Sequence, residues 1–111
     1  MDWIILDIAK DFSRCPGARH PDEGDNSGQE FRNNFLKPKI QEALEKGLRL
    51  KIILDGSAGY STAFLEEAFG GLVREDGFTL EQLAIIDYVS DEDPTYIDDI
   101  KAYIEDAAQH S

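Results

Sequence analysis

Two adjacent hydroxyls, Ser61 and Thr62, close the stretch DGSAGYST and stand where an apolar helical pattern begins. Hydroxyls at a helix start serve one of two ends. Ser61 can cap the helix, its oxygen accepting a backbone N–H that has no partner inside the first turn. Alternatively either residue can carry a phosphoryl group, whose charge gains about 0.3–1 kcal/mol from an exposed helix N-terminus. Glu66 and Glu67 lie one turn on and oppose an added phosphate, so modification would alter sharply which surface can dock there. Ahead of the hydroxyls, Asp55 ends an apolar run and a turn of small residues follows. Strand, small-residue turn and helix together gather backbone N–H groups at the carboxyl edge of a sheet. The glycine spacing matches neither GxGxxG nor GxxxxGK[ST], and residues 55–72 contain no Lys or Arg to neutralise a phosphate, which argues against a nucleotide pocket.

Other groupings also hold residue types that do chemistry. Cys15 and His20 share residues 13–28 with Arg14, Arg19, Asp22, Glu23 and Asp25. A thiol beside an imidazole is a nucleophilic pair, and with the carboxylates it is a metal clip. Catalytic groups need fixed geometry, and this Pro-, Gly- and Asp-rich segment reads as a long loop. No metal and no cofactor are expected. Asp91, Glu92 and Asp93, with Asp98 and Asp99, lack the spacing and central glycine of a calcium loop and read as a solvated helix start. Tyr96 and Tyr103, seven apart, read as the half-buried flank of a helix. Gly70 and Gly71 interrupt a helical pattern, where each costs roughly 1 kcal/mol relative to alanine. They mark either a helix end or a flat face that a partner approaches.

The elements that hold these residues follow from periodicity. WIILDI, residues 3–8, is a strand by its β-branched apolar character and is expected to reach residue 12. Ser27 and Glu30 form a capping box, and Phe31, Phe35, Ile40 and Leu44 continue a helical stripe to Gly47. Pro38 inside that stripe removes a backbone donor and is expected to bend or restart the helix near Phe35. Residues 48–55 and 83–89 read as central strands. Between them, Phe64, Leu65, Ala68, Phe69, Leu72 and Val73 form the buried stripe of a helix whose exposed side carries Glu66, Glu67, Gly70 and Arg74. Thr79 and Gln82 cap a short turn. Asp93 and Pro94 open a last helix with Ile97, Ile100, Ile104 and Ala107 on its apolar face. Strands separated by helices make an α/β layer packing.

Composition sets the outer bounds. The 111 residues suit one domain spanning 1–111, since single cores are typically built from roughly 100–150 residues. Against 11 basic residues stand 23 acidic ones, a formal charge of −12, which repels nucleic-acid backbones and anionic membrane surfaces. No apolar run approaches the roughly 20 residues needed to span a bilayer. The single cysteine cannot form an internal disulfide, and the Met-Asp start lacks the basic region of a signal peptide. A cytoplasmic protein is expected.

LDGSAGYSTAFLEEAFGGLVR, supported by SGQEFR at residues 27–32 and by the order of elements, resembles the STAS-like domain family, named for its likeness to sulfate-transporter and anti-sigma-factor-antagonist domains. The resemblance implies a single antagonist-like α/β domain, with a sheet of about four strands and helices packed on it. It further implies a non-enzymatic regulator that docks a protein partner, an ATPase-fold kinase or anti-sigma-like protein, through the turn and helix 55–73. Ser61 and Thr62 then occupy the phosphorylated switch position, although the antagonists carry an Asp-Ser-Ser-Gly-like run where Tyr60 to Phe64 stand here. Tyr60, Glu66, Glu67, Gly70, Gly71 and Arg74 fall on the implied docking face. The likeness in the 17–28 region implies a loop folded over the sheet edge, with Arg19 bringing positive charge to the Asp55 turn. A rival reading rests on the −12 charge: an acidic mimic of nucleic acid that blocks a basic surface of an enzyme.

Overall fold

The computed structural model describes residues 3–110. Three strands, β1 (Trp3–Asp7), β2 (Arg49–Ile53) and β3 (Ile86–Val89), form one parallel sheet in the order β1-β2-β3. Trp3 stands beside Arg49, Asp7 beside Ile53, Leu50 beside Ile86 and Ile53 beside Val89. The sheet therefore has three strands among the described residues where about four were expected. The first strand also stops earlier than its composition suggests. After Asp7 the chain enters a π-helical turn (Ile8–Phe12), with Asp7 accepting from the Lys10 N–H at 3.2 Å. That turn carries Phe12 onto Phe31 and Phe35, with ring centroids 5.2 and 5.3 Å away.

The crossover from β1 to β2 is a single helical run in three parts. α1 (Gly28–Phe31) passes through a π-helical stretch (Arg32–Leu36) into α2 (Lys37–Lys46) without leaving helical dihedrals. The Ser27–Glu30 capping box forms as its sequence requires, and the carbonyls of Ala18 and Arg19 accept the next two N–H groups, from Gly28 and Gln29. Pro38 neither breaks nor restarts the run. One residue ahead of it the Lys37 N–H bonds five residues back, to Arg32, and this wider turn makes room where a proline ring meets the preceding turn. Gly47, at φ 67°, ends the helix in the left-handed region that glycine enters without strain.

The second crossover repeats this design. α3 (Thr62–Leu65), a π-helical stretch (Glu66–Gly70) and α4 (Gly71–Arg74) run as one, so the glycine pair lies inside the helical run and does not end it. α5 (Leu80–Leu83) takes the Thr79–Gln82 capping box, and the strand expected from Leu83 begins only at Ile86, after a turn. α6 (Thr95–Gln109) closes the fold and packs along residues 66–74. Ile8 and alternating strand residues, Leu6, Leu50, Ile52 and Ile86, are buried in one core with Phe31, Phe64, Phe69 and Ile100. All the helical packing lies against that face. The intervening residues, Trp3, Ile5, Arg49, Lys51, Ile53, Asp87 and Val89, point to the other side and none of them belongs to the core.

Candidate functional site

The turn between β2 and α3 is fastened on three sides. Asp55 accepts from the backbone N–H of Asp91 at 3.1 Å and of Glu92 at 2.9 Å, and Glu92 returns the contact by accepting from Gly56 N–H at 2.9 Å. Asp55 thus joins two strand ends. Tyr60 donates to the Leu54 carbonyl at 2.7 Å, while its own N–H donates to the Tyr96 hydroxyl at 3.3 Å. Its ring packs against Phe64 and, edge on, against Tyr96, with centroids 5.9 and 5.1 Å away. Burial pushes the Tyr60 phenol up to about 12. Tyr60 is a latch holding β2, α3 and α6 together, not the partner-facing side chain the resemblance implies. Tyr96 lies on a half-buried flank, as its spacing suggests.

The loop before α1 supplies the third side. Ala58 N–H donates to the Arg14 carbonyl at 2.7 Å, and Ser61 Oγ donates to the Gly17 carbonyl at 3.2 Å. Ser61 is also the helix cap, accepting from Phe64 N–H at 3.0 Å. Its hydroxyl is therefore engaged twice. Thr62, the next residue, is exposed, and no hydrogen bond to its hydroxyl occurs among the described residues. Farther along the same loop, Arg19 bypasses Asp55 altogether. It donates instead to Glu66 and to Glu67, the latter at 3.5 Å.

Arg19 thereby joins a charged network along the 62–74 helix. Glu66 is gripped from both sides, by Arg19 and by Arg74 Nη1 at 2.6 Å. Burial alone would raise the Glu66 carboxyl, but the two guanidinium groups outweigh it and hold it below the usual range. Correspondingly, the hydrogen bonds to Glu66 raise both Arg19 and Arg74. Beneath them Arg32, only 5% exposed, donates to the Glu67 carboxylate and, at 2.7 Å, to the Glu67 carbonyl. Its Nε faces Asp76 at 3.1 Å without hydrogen-bond alignment, and Lys37 reaches Asp76 at 3.4 Å. Four cations, Arg19, Arg32, Lys37 and Arg74, meet four carboxylates, Glu66, Glu67, Glu75 and Asp76. The network is balanced and carries no surplus positive charge for an anion.

This geometry corrects the expected exposed face. Glu67, Gly70 and Gly71 are buried; Glu66 and Arg74 keep part of their surface. A Cβ on Gly71 would lie 2.9 Å from Arg32 Cζ, and one on Gly70 would meet Glu66 Oε2 at 2.6 Å and the Tyr103 carbonyl at 3.5 Å. The glycines clear space for the network and for α6, and present no flat surface to a partner. Arg32 was missed. Its signal was available: it lies four residues before Leu36, on the apolar side of the helix, opposite a glycine pair that only a bulky neighbour explains. Cys15 and His20 are not brought together. His20 Nδ1 pairs with Gln29 at 2.8 Å, Cys15 is exposed, and no cluster able to hold a metal occurs among the described residues.

A singly wound, three-stranded parallel α/β domain, capped at its carboxyl edge by a tightly fastened turn, is the class that fold and site define. Within that class the sequence profile of the STAS-like domain of unknown function matches residues 27–93, from the Ser27 cap to just ahead of α6, and the chain belongs to that family. No curated protein and no solved structure matches the chain. The matched span contains β2, β3, the Ser61 turn and the Arg32–Glu67 pair. Among the described residues no helix is long and apolar enough to cross a membrane.

Proposed function

We propose that the protein is a non-enzymatic regulatory domain that docks a protein partner through the outer strip of the 61–74 helix, with Thr62 as phosphoacceptor. One observation carries this reading. Thr62 offers a free, exposed hydroxyl one turn ahead of Glu66, on the same side of the helix, where Arg19 and Arg74 converge. Phosphorylating Ser61 would forfeit its bond to Gly17, so Thr62 is the less costly acceptor of the two. A phosphate there adds about two negative charges beside a carboxylate whose cations are already committed, and so changes what the strip can bind. Ser61, Thr62, Glu66, Arg74 and Arg19 form the strip, while Tyr60, Glu67, Gly70 and Gly71 support it from within. By resemblance to anti-sigma-factor antagonists, the partner is an ATPase-fold kinase or an anti-sigma-like regulator.

The acidic-mimic reading rests on the exposed Asp91, Glu92, Asp98 and Asp99. It is weakened by the internal use of Asp55, Glu92 and Asp93, which hold backbone N–H groups in place. Mass spectrometry on protein captured from its native cells separates the two. A phosphoryl group on Thr62 in the tryptic fragment 52–74, together with a kinase-fold partner, is the expected result. An unmodified fragment with a nucleic-acid enzyme attached would overturn it in favour of the mimic.

A further inference from the structure

Parallel sheets are found almost only with both faces covered, because crossover helices normally lie on each side. Here both crossovers pack on one face, and the other holds Ile5 at 54% exposure and Trp3 at 36%, beside the half-buried Ile53 and Val89. The register makes this a defined surface. Ile5, Lys51 and Asp87 form one row across the sheet, and Asp7, Ile53 and Val89 the next. Arg49 closes the amino end, held bidentately by Asp87 at 2.7 and 3.1 Å and donating to the Ala84 carbonyl. Lys51 differs from it. Its ammonium lies 4.9 Å above the Trp3 ring and makes no ion pair among the described residues.

We propose that this face receives a single amphipathic helix of a partner protein, laid antiparallel to the strands, with an apolar stripe on Ile5, Ile53 and Val89 and a carboxylate against Lys51. Size selects a helix. Three strands at about 4.8 Å spacing place β1 and β3 about 10 Å apart, the diameter of one helix, and five strand residues at about 3.3 Å each match roughly two to three helical turns. A second copy would set its own charge of −12 against this one. Charge selects the direction. Toward the amino ends of the strands lie Lys51 and Arg49, the latter paired with Asp87, and at the carboxyl edge Asp7, Asp55, Asp91 and Glu92 outnumber Lys10 and Arg14. An antiparallel helix puts its negative C-terminal end over the cations and its positive N-terminal end over the carboxylates. This surface is separate from the 61–74 strip, so the inference does not depend on the phosphorylation reading.

The test uses the full chain, ¹⁵N-labelled, and two synthetic 12-residue peptides that share one leucine stripe and are flanked by Glu in one and Lys in the other. A contact this small is weak, so each titration runs to about a few millimolar. Salt is kept physiological, with a screening length of about 8 Å, so that local charges decide. The −12 overall charge favours the Lys peptide, which makes the expected result a strict one. The Glu peptide should shift amide signals of residues 3–7, 49–53 and 86–89, move the emission of Trp3, the sole tryptophan, to the blue, and bind at least about tenfold more tightly than the Lys peptide. Lys51→Glu should abolish that preference, and Ile5→Glu, at an exposed position, should abolish binding with the spectrum otherwise intact. Equal binding of both peptides, shifts confined to the helices, or no shifts at all would overturn the proposal. A change in Trp3 emission with protein concentration alone would also overturn it, naming a second copy as the occupant.

Discussion

Gly71 shows how one missing side chain can carry a structural argument. The guanidinium of Arg32 occupies the space where a Cβ would stand, and it cannot swing away because Glu67 and Asp76 hold it from two directions. Gly71→Ala should therefore cost about 1–3 kcal/mol by overpacking, although alanine is intrinsically the better helix former by about 1 kcal/mol. Urea denaturation measures the sign directly. A stabilised variant would mean that Arg32 is not pinned. Glu66 makes a second prediction, through pH. Its folded carboxyl lies below the ordinary glutamate value of about 4.3, so its contribution is complete above that value and is lost as pH falls through the folded one. Urea midpoints at neutral pH and below about pH 4 should differ less for Glu66→Gln than for the unaltered protein. An unchanged difference would show that the grip of Arg19 and Arg74 on Glu66 does not stabilise the fold.

Elements divide into those whose ends are written locally and those shaped by packing. The three capping sites at Ser27, Ser61 and Thr79 were legible, because a hydroxyl and its N–H partner lie three residues apart in one chain. The π-helical stretches were not. Of the two in the crossovers, one widens a turn beside Pro38 and the aromatic cluster and the other makes room for the Arg32 guanidinium and α6, a need that the residues within the stretches do not record. For the same reason the buried pair Arg32–Glu67 escaped a reading that placed Glu67 on the exposed side. Capping also separates the two hydroxyls of the candidate site. Ser61→Ala should cost about 1 kcal/mol, since it removes the bond to Phe64 N–H, whereas Thr62→Ala should change stability by no more than about 0.5 kcal/mol. Thermal melts of the two variants check this. Equal losses would mean that Thr62 has a structural partner and is a poorer phosphoacceptor than its exposure suggests.

At the scale of the molecule, class and strand positions followed from periodicity, but the bare sheet face did not. WIILD reads as a strand covered on both sides, because a continuous apolar run does not say which alternate residues meet a helix. Only the placement of both crossovers on one face leaves Ile5 in solvent. The charge, legible from composition, acts on the whole body. The molecule extends 34 × 32 × 24 Å, and at about 0.01 M salt the screening length is about 30 Å, so nearly all its carboxylates repel one another. At about 0.15 M it shrinks to about 8 Å and only neighbours interact. Salt also weakens exposed pairs such as Lys46–Glu42, but hardly reaches Arg32 and Glu67 in the interior. With 12 uncompensated negative charges the first effect outweighs the second. The melting temperature should therefore rise by several degrees between these two salt concentrations, equivalent to about 1 kcal/mol. Asp98→Asn with Asp99→Asn should reduce that rise. A melting temperature that falls with salt would place the balance with the ion pairs, and would mean that the Arg19–Glu66–Arg74 strip contributes more to the fold than its partial exposure implies.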